Sequence, residues 1–225
     1  MDQRTDEWLA ARLGCVTASR TADVMAKTKS GYSASRANYM AQIITERLTE
    51  RPTEGFSSSA MQWGTDTEPQ ARMAYELMTG VGVEEVGFVL HPTIPSFGAS
   101  PDGMVGSDGL IEIKCPNTAT HIETLLAEKV PNKYITQMHV QMICTERTWC
   151  DFVSFDPRLP GEMNFWMERV YRDDDLCQDI EAEVISFLEE TNMKLNQLRN
   201  QFGGSQCKRC IKTLNETKEF VNKEN

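Results

Sequence analysis

The sequence has no apolar run approaching the ~18 residues that a membrane-crossing helix needs, so no membrane span is expected. Its first residues, MDQRTDEW, carry no apolar stretch, which predicts that no secretory leader is present. Histidine is scarce: His91, His121 and His139 are the only three. All lie far upstream of the one C-x-x-C pair, Cys207 and Cys210, so spacing does not assemble the four ligands of a structural zinc. A plain polar tail is the favoured reading of that pair. The seven cysteines are odd in number and irregularly spaced, a pattern of free thiols in a reducing compartment, and a cytoplasmic location is expected. Repeats and internal linkers are missing too. Above all, the chain lacks a basic surplus. Its 23 lysines and arginines face 33 acids, a net charge of −10, which speaks against a classical DNA binder.

What is present suits a globular domain. The 225 residues are 40% hydrophobic and 25% charged, enough to bury a core without disulfide or metal staples. Disordered, collagenous and coiled-coil classes are excluded. Trp8, Leu9 and Leu13 share one face of a helix over 5–13 that Gly14 ends. Thr17 suits the N-cap of a second helix over 18–26, and the glycine and serines of 30–35 suit a loop. Helical spacing returns over 36–49 and 58–79, with Pro69 predicting a kink or break in the latter. The period then changes. Residues 81–91, 96–100 and 109–115 read as strands, with the turn Ser100-Pro101-Asp102-Gly103 between the last two. A helix over 132–145, strands over 148–156 and 164–171, and a long helix over 173–200 follow. Residues 203–225 are polar and loosely patterned. The class is α/β or α+β, with helices flanking a central mixed β-sheet in a single domain.

The charge is unevenly spread. Between Arg12 and Arg36 there are five basic residues and one acid, a local net of +4. Between Asp173 and Glu190 there are eight acids and no base, a local net of −8. The acidic run reads as a solvated helix face, and Asp173–Asp175 also suit the positive end of a helix dipole.

The chemical signal lies in the middle. Asp102 sits in a turn, and Glu112 and Lys114 are two apart on a strand, so they share a face while Ile111 and Ile113 share the other. Burying an acid and a lysine in an apolar strand is costly without a partner or a role. Two converging carboxylates suit a hard divalent ion such as Mg²⁺, which can polarise a phosphodiester and acidify a bound water. The bland alternative is a β-turn plus an edge-strand ion pair.

Four groups of residues carry a wider likeness: Glu7-Trp8-Leu9 with Arg12-Leu13-Gly14 and Thr17-Ala18-Ser19; Trp63-Gly64 with Glu68 and Ala71-Arg72; Ser100-Pro101-Asp102-Gly103 with Glu112-Ile113-Lys114-Cys115-Pro116; and Tyr134 with Gln137. In order and spacing they resemble the lambda exonuclease and YqaJ-like viral recombinase family of PD-(D/E)xK nucleases, over roughly residues 4–190. The resemblance implies a restriction-endonuclease-like domain over 1–200 and a polar tail over 201–225. It implies that Asp102, Glu112 and the Ile113 carbonyl hold Mg²⁺, with Mn²⁺ as a substitute and one or two ions per site. Glu68 would face a second ion or its water, Lys114 would position the attacking water, and Gln137 would hold that water or the scissile phosphate. Arg12, Ser19 and Ser100 would bind a 5′-phosphate.

The family's further pocket arginine, eight residues after the E-x-K acid, is replaced here by Thr120, beside His121; Thr120, His121 or Arg20 would have to compensate. His121 and His139 are otherwise expected at the surface or behind the site. The implied activity is 5′→3′ digestion of one strand of linear duplex DNA to mononucleotides, leaving a 3′ overhang. The implied partners are duplex DNA ends, two further copies in a ring-shaped homotrimer and a single-strand annealing protein, with no membrane. A structure- or site-selective endonuclease and a non-catalytic DNA-end-binding module are the alternatives.

Overall fold

The structure is a computed structural model that describes residues 2–53 and 58–203. Residues 1–185 form one compact unit that carries every strand among the described residues and all the candidate site residues, and a second unit begins at Ser186. Cys207, Cys210 and nearly all of the expected tail lie outside the described residues.

Helix α1 (Asp6–Arg12) starts where Thr5 Oγ1 accepts from the Trp8 amide and stops before Gly14, whose φ of +67° suits glycine. Next come β1 (Val16–Thr17), a 3-10 turn (Ala18–Arg20) and the short α2 (Thr21–Met25). The expected single helix over 18–26 is therefore split. Thr17 makes no side-chain cap bond, and its backbone pairs with Gly98. The expected loop over 30–35 instead includes half of a hairpin, β2 (Lys27–Thr28) and β3 (Gly31–Tyr32), and the start of α3 (Ala34–Thr49).

Helix α4 (Ser59–Thr79) runs through Pro69 as one helix, without the break that was one of the two expectations. Proline removes the bond to the Thr65 carbonyl. Thr65 lines an open cleft, where solvent reaches it.

The expected strand over 81–91 divides into β4 (Val83–Glu84) and β5 (Val89–Leu90), which join different sheets. After β6 (Phe97–Ala99) comes β7 (Gly103–Val105), an unexpected strand that begins at the last residue of the turn signal. Then follow β8 (Gly109–Lys114), α5 (Thr118–Ala127), α6 (Asn132–Thr145), β9 (Trp149–Phe155), β10 (Phe165–Tyr171) and α7 (Asp174–Phe202). Helix α5 was not read from the sequence, although Asn117 caps it by accepting from the Thr120 amide.

The main sheet has the order β10-β9-β8-β7-β4. Only β8 and β9 are parallel, joined by the crossover through α5 and α6. Both of its faces are covered. Ile111, Ile113 and Val153 pack with Ala71 and Tyr75 of α4 on one face. On the other, Leu110 and Phe152 pack with Met138 and Met142 of α6. Alternation along β8 therefore places Glu112 and Lys114 on the α6 side, as the two-residue spacing predicts. A second sheet, β1-β6-β5, pairs β1 parallel to β6 and so sets Ser19 and Ser100 at neighbouring strand exits.

The acidic helix start is capped as its sequence suggests, with Asp173 Oδ1 accepting from the amides of Asp175 and Leu176. The acidic face is more engaged than a solvated one. Glu181 meets His91, and Glu183 binds both Lys27 and Tyr32 from the basic segment. Among the described residues, no helix is long and apolar enough to cross a membrane.

Candidate active site

An open cleft of about 470 Å³ is lined by Glu68, Asp102, Ile113, Lys114, Tyr134 and Arg4, among others. Helix α4 supplies Glu68, the turn before β7 supplies Asp102, and β8 supplies Ile113 and Lys114. Asp102 Oδ2 accepts from the Ile113 amide at 2.7 Å, while its Oδ1 has no protein donor among the described residues. Burial pushes the Asp102 carboxyl well above the usual carboxylate range, and the charge of Glu112 pushes it further.

Glu112 is fully buried and fully partnered. Its Oε1 meets the Lys114 ammonium and accepts from Gln137 at 2.7 Å, and its Oε2 accepts from Gln141 at 2.5 Å. Burial alone would lower the Lys114 ammonium, but Glu112 and Asp102 outweigh burial and hold it above its ordinary value. Lys114 is therefore a cation and a hydrogen-bond donor at neutral pH. The neighbouring Cys115 thiol is pushed up to about 12, by burial first and then by Glu68 and Asp102, which leaves it a poor nucleophile.

Gln141 and Arg4 are absent from the sequence-based set. Gln141 was legible: it follows Gln137 by four, so both amides lie on one face of α6. Arg4 had no local signal. Glu68 is held by two guanidiniums, with Arg72 at 2.9 Å on Oε1 and Arg4 at 2.7 Å on Oε2. Arg72 is itself anchored on Glu85.

The expected phosphate pocket is assembled in part. Ser100 Oγ accepts from Trp8 Nε1 at 2.9 Å and from Arg12 at 3.4 Å, and the Arg12 guanidinium stacks on the Trp8 ring at 3.9 Å. Burial pulls Arg12 below its ordinary value, and nearby Tyr39, Cys15 and Glu46 oppose that. Arginine stays charged regardless. Ser19 is exposed at the exit of β1, beside that of β6.

Thr120 is not brought to this pocket. It lies on α5 and lines a different cleft of about 380 Å³. His121 is not at the surface either. It is fully buried, with Nδ1 2.7 Å from Ser154 Oγ and Nε2 2.9 Å from the Met163 carbonyl, so the Nε2 proton goes to that carbonyl. His139 is also buried, on the Ile135 carbonyl. Arg20 is occupied by Asp23 and Gln42.

The donor chemistry fits a hard divalent ion. No three His, Cys, Asp or Glu side chains among the described residues stand close enough to ligate one ion. Mg²⁺ does not require three: it keeps several waters and is held through one or two carboxylates. The open Asp102 oxygen, beside the Glu112 carboxyl, meets that requirement.

Solved structures share this architecture. LHK-Exo in complex with dAMP superposes with a TM-score of 0.82 at 56% identity, covering 88% of this chain and 97% of that one. The alkaline exonuclease LHK-Exo from Laribacter hongkongensis gives the same score and coverage at 55% identity. A phage-related exonuclease from Haemophilus somnus 129PT, at 15% identity, covers 82% of this chain and 96% of its own with a TM-score of 0.65, and shares the fold. Among curated proteins none matches. Residues 7–148 match the YqaJ-like viral recombinase domain. With that match over more than half its length, the chain belongs to the YqaJ-like viral recombinase family.

Proposed function

We propose that this protein is a Mg²⁺-dependent 5′→3′ exonuclease that digests one strand of linear duplex DNA to mononucleotides and leaves a 3′ overhang. A nuclease role follows from the family and from the 56% identity to an exonuclease. The observation that carries the finer reading is the pairing of two sites along one short stretch of chain. Ser100 belongs to the Arg12 pocket and Asp102 to the carboxylate cleft. They are two residues apart, about 7 Å at most along the backbone. A terminal 5′-phosphate in the first would set the next phosphodiester bond in the second, so that a mononucleotide is released.

Asp102, Glu112 and the Ile113 carbonyl would hold Mg²⁺ or Mn²⁺, and Glu68 would face a second ion or its water. When bound, such an ion supplies Lewis-acid stabilisation of the phosphoryl oxygens and a more acidic water. The chain's own residues do the rest. Gln137 and Gln141 hold the Glu112 carboxylate in one orientation. Lys114, charged, donates to the attacking water or to the phosphate instead of removing a proton. Arg12, stacked on Trp8, grips the terminal phosphate through parallel N–H bonds, with Ser100 and Ser19 adding hydroxyl donors. Thr120 drops out of this pocket. The same reading proposes a homotrimeric ring around the duplex, a single-strand annealing partner and work in the cytosol. A ring also suits the net charge, because topological enclosure needs few basic contacts.

The test compares linear 5′-phosphorylated duplex, linear 5′-hydroxyl duplex and closed circular DNA, each with Mg²⁺ or with chelator. Only the phosphorylated linear duplex should be degraded quickly, and only with Mg²⁺. Cutting of the closed circle would replace the exonuclease with an endonuclease. Equal rates on both linear ends would remove the phosphate pocket.

A further inference from the structure

We propose that Arg4 is a ligand for a backbone phosphate of the DNA strand in the carboxylate cleft, held there by Glu68. The proposal rests on the nuclease reading and adds to it a cationic residue in the carboxylate cleft itself, apart from the Arg12 pocket.

Three observations converge on Arg4. The first is strain. Its φ of +69° lies in the left-handed region, which a residue with a Cβ adopts at a cost. The second is what imposes it. Gln3 Nε2 donates to the carbonyls of Val86 at 2.9 Å and Pro101 at 2.7 Å, so the chain just before Arg4 is clamped to the residue that precedes Asp102. The third is the state of the guanidinium. Arg4 lines the cleft, is 51% exposed, and uses one nitrogen on Glu68. An arginine has five N–H donors in a rigid fork, and no other protein acceptor among the described residues takes the rest.

Arg72 supplies the contrast. It holds the other Glu68 oxygen, but its side chain is only 13% exposed and reaches Glu85 and the Asp102 carbonyl as well. A structural counter-charge for Glu68 therefore already exists. A second, half-exposed guanidinium aimed over the cleft by a strained residue is surplus to folding. Planar N–H donors at that position match a phosphodiester.

The test measures binding of a labelled linear duplex against salt, with Ca²⁺ in place of Mg²⁺ so that strands stay intact. Each phosphate contact contributes about 0.9 to the slope of log affinity against log salt. Arg4→Gln and Arg4→Gly should each lower the slope by about 0.9, and Arg4→Lys should restore it because the charge returns. Arg4→Gly should melt no lower than wild type, since glycine accepts the φ without strain. An unchanged slope in the Gln and Gly variants overturns the proposal, as does a lower melting temperature for the Gly variant with the slope intact, which would mark a purely structural residue. A deoxynucleoside monophosphate is titrated in parallel. Weakened mononucleotide binding with an unchanged duplex slope would place Arg4 on the product and also overturn the assignment. Failure of the wild-type protein to degrade linear duplex would instead sink the nuclease reading, whatever Arg4 does.

Discussion

Two kinds of buried carboxylate are found on and beside the main sheet, and they are treated differently. Asp151 on β9 is closed by Arg169, whose Nε and Nη2 reach its two oxygens at 2.7 and 2.9 Å, with the Tyr75 hydroxyl at 2.8 Å on Oδ2. Asp156, just past β9, takes the same fork from Arg158, plus the Thr118 hydroxyl. Both are saturated, and each faces an arginine fork that a carboxylate matches well. Asp102 has one amide bond and an open oxygen, and Glu112 has a lysine and two amides in place of an arginine. Folding that can close two carboxylates with guanidiniums leaves Asp102 lining a cleft with an open oxygen and closes Glu112 with a lysine and two amides instead. That contrast marks the pair as chemical, where burial alone would not, since Asp151, Asp156 and Glu112 are equally inaccessible.

The comparison breaks most sharply under substitution. Asp102→Asn and Glu112→Gln should each lower kcat by about 10³-fold or more, because both remove charge that a divalent ion needs. Asp102→Asn should not lower the melting temperature much, since it relieves repulsion with Glu112, whereas Glu112→Gln strands the Lys114 ammonium and an amide donor and should lower it. Thermal melts beside single-turnover rates check both halves. Asp151→Ala should do the reverse of Asp102→Asn: a loss of about 3 kcal/mol of stability, from the stranded Arg169 and Tyr75, with turnover per folded molecule near wild type. Denaturant titration with rates normalised to the folded fraction measures it. If Asp151→Ala spares stability, or Asp102→Asn unfolds the chain, the division into structural and chemical carboxylates is wrong.

Much of that division was legible along the chain, and the illegible parts share a cause. Glu112 and Lys114 on one face, Ile111 and Ile113 on the other, follow from the period of a strand, and β9, β10 and α6 are long enough to show theirs. Strands of two or three residues, such as β4, β5 and β7, show no period, and 81–91 was read as one strand because a turn between two sheets looks locally like a bend in one. Contacts between distant segments are invisible to periodicity. Arg4 and Glu68 are 64 residues apart, Gln3 and Pro101 are 98 apart, and nothing near Arg4 announces its partner. Thr120 was placed by counting from Glu112, but the Asn117 cap starts α5 there and carries Thr120 to another cleft.

The next effect is smaller and separates the two amides on Glu112. Oε1 has Lys114 as well as Gln137, whereas Oε2 has Gln141 alone. Gln141→Leu should therefore cost more than Gln137→Leu, about tenfold in kcat/KM, as for one lost hydrogen bond to a charged group. It should also raise the Mg²⁺ concentration needed for half-maximal rate. Titrating Mg²⁺ for both variants measures the order. Equal effects, or a larger one at Gln137, would mean that Gln137 serves the water or the phosphate and not the carboxylate.

The smallest effect lies in acid. Burial would raise the Asp156 carboxyl, but the hydrogen bonds from Arg158 and Thr118 overcome it and bring the group down to about 2. A carboxyl lowered on folding contributes stability above its unfolded value near 4, and that contribution fades as pH falls from about 4 to about 2. Because Arg158 is 46% exposed, solvent screening trims the contribution to the order of 1 kcal/mol. Asp156→Asn should remove this dependence and flatten the stability curve between pH 4 and 2. Asp102 runs the opposite way: raised on folding, it favours the folded state at low pH and opposes it as pH rises through the unfolded value. Asp102→Asn should therefore stabilise the chain at neutral pH in chelator and change little near pH 3. Chemical denaturation from pH 3 to 8 in chelator sets the two aspartates against each other; parallel curves for Asp102→Asn and Asp156→Asn would show that the sheet treats its carboxylates alike.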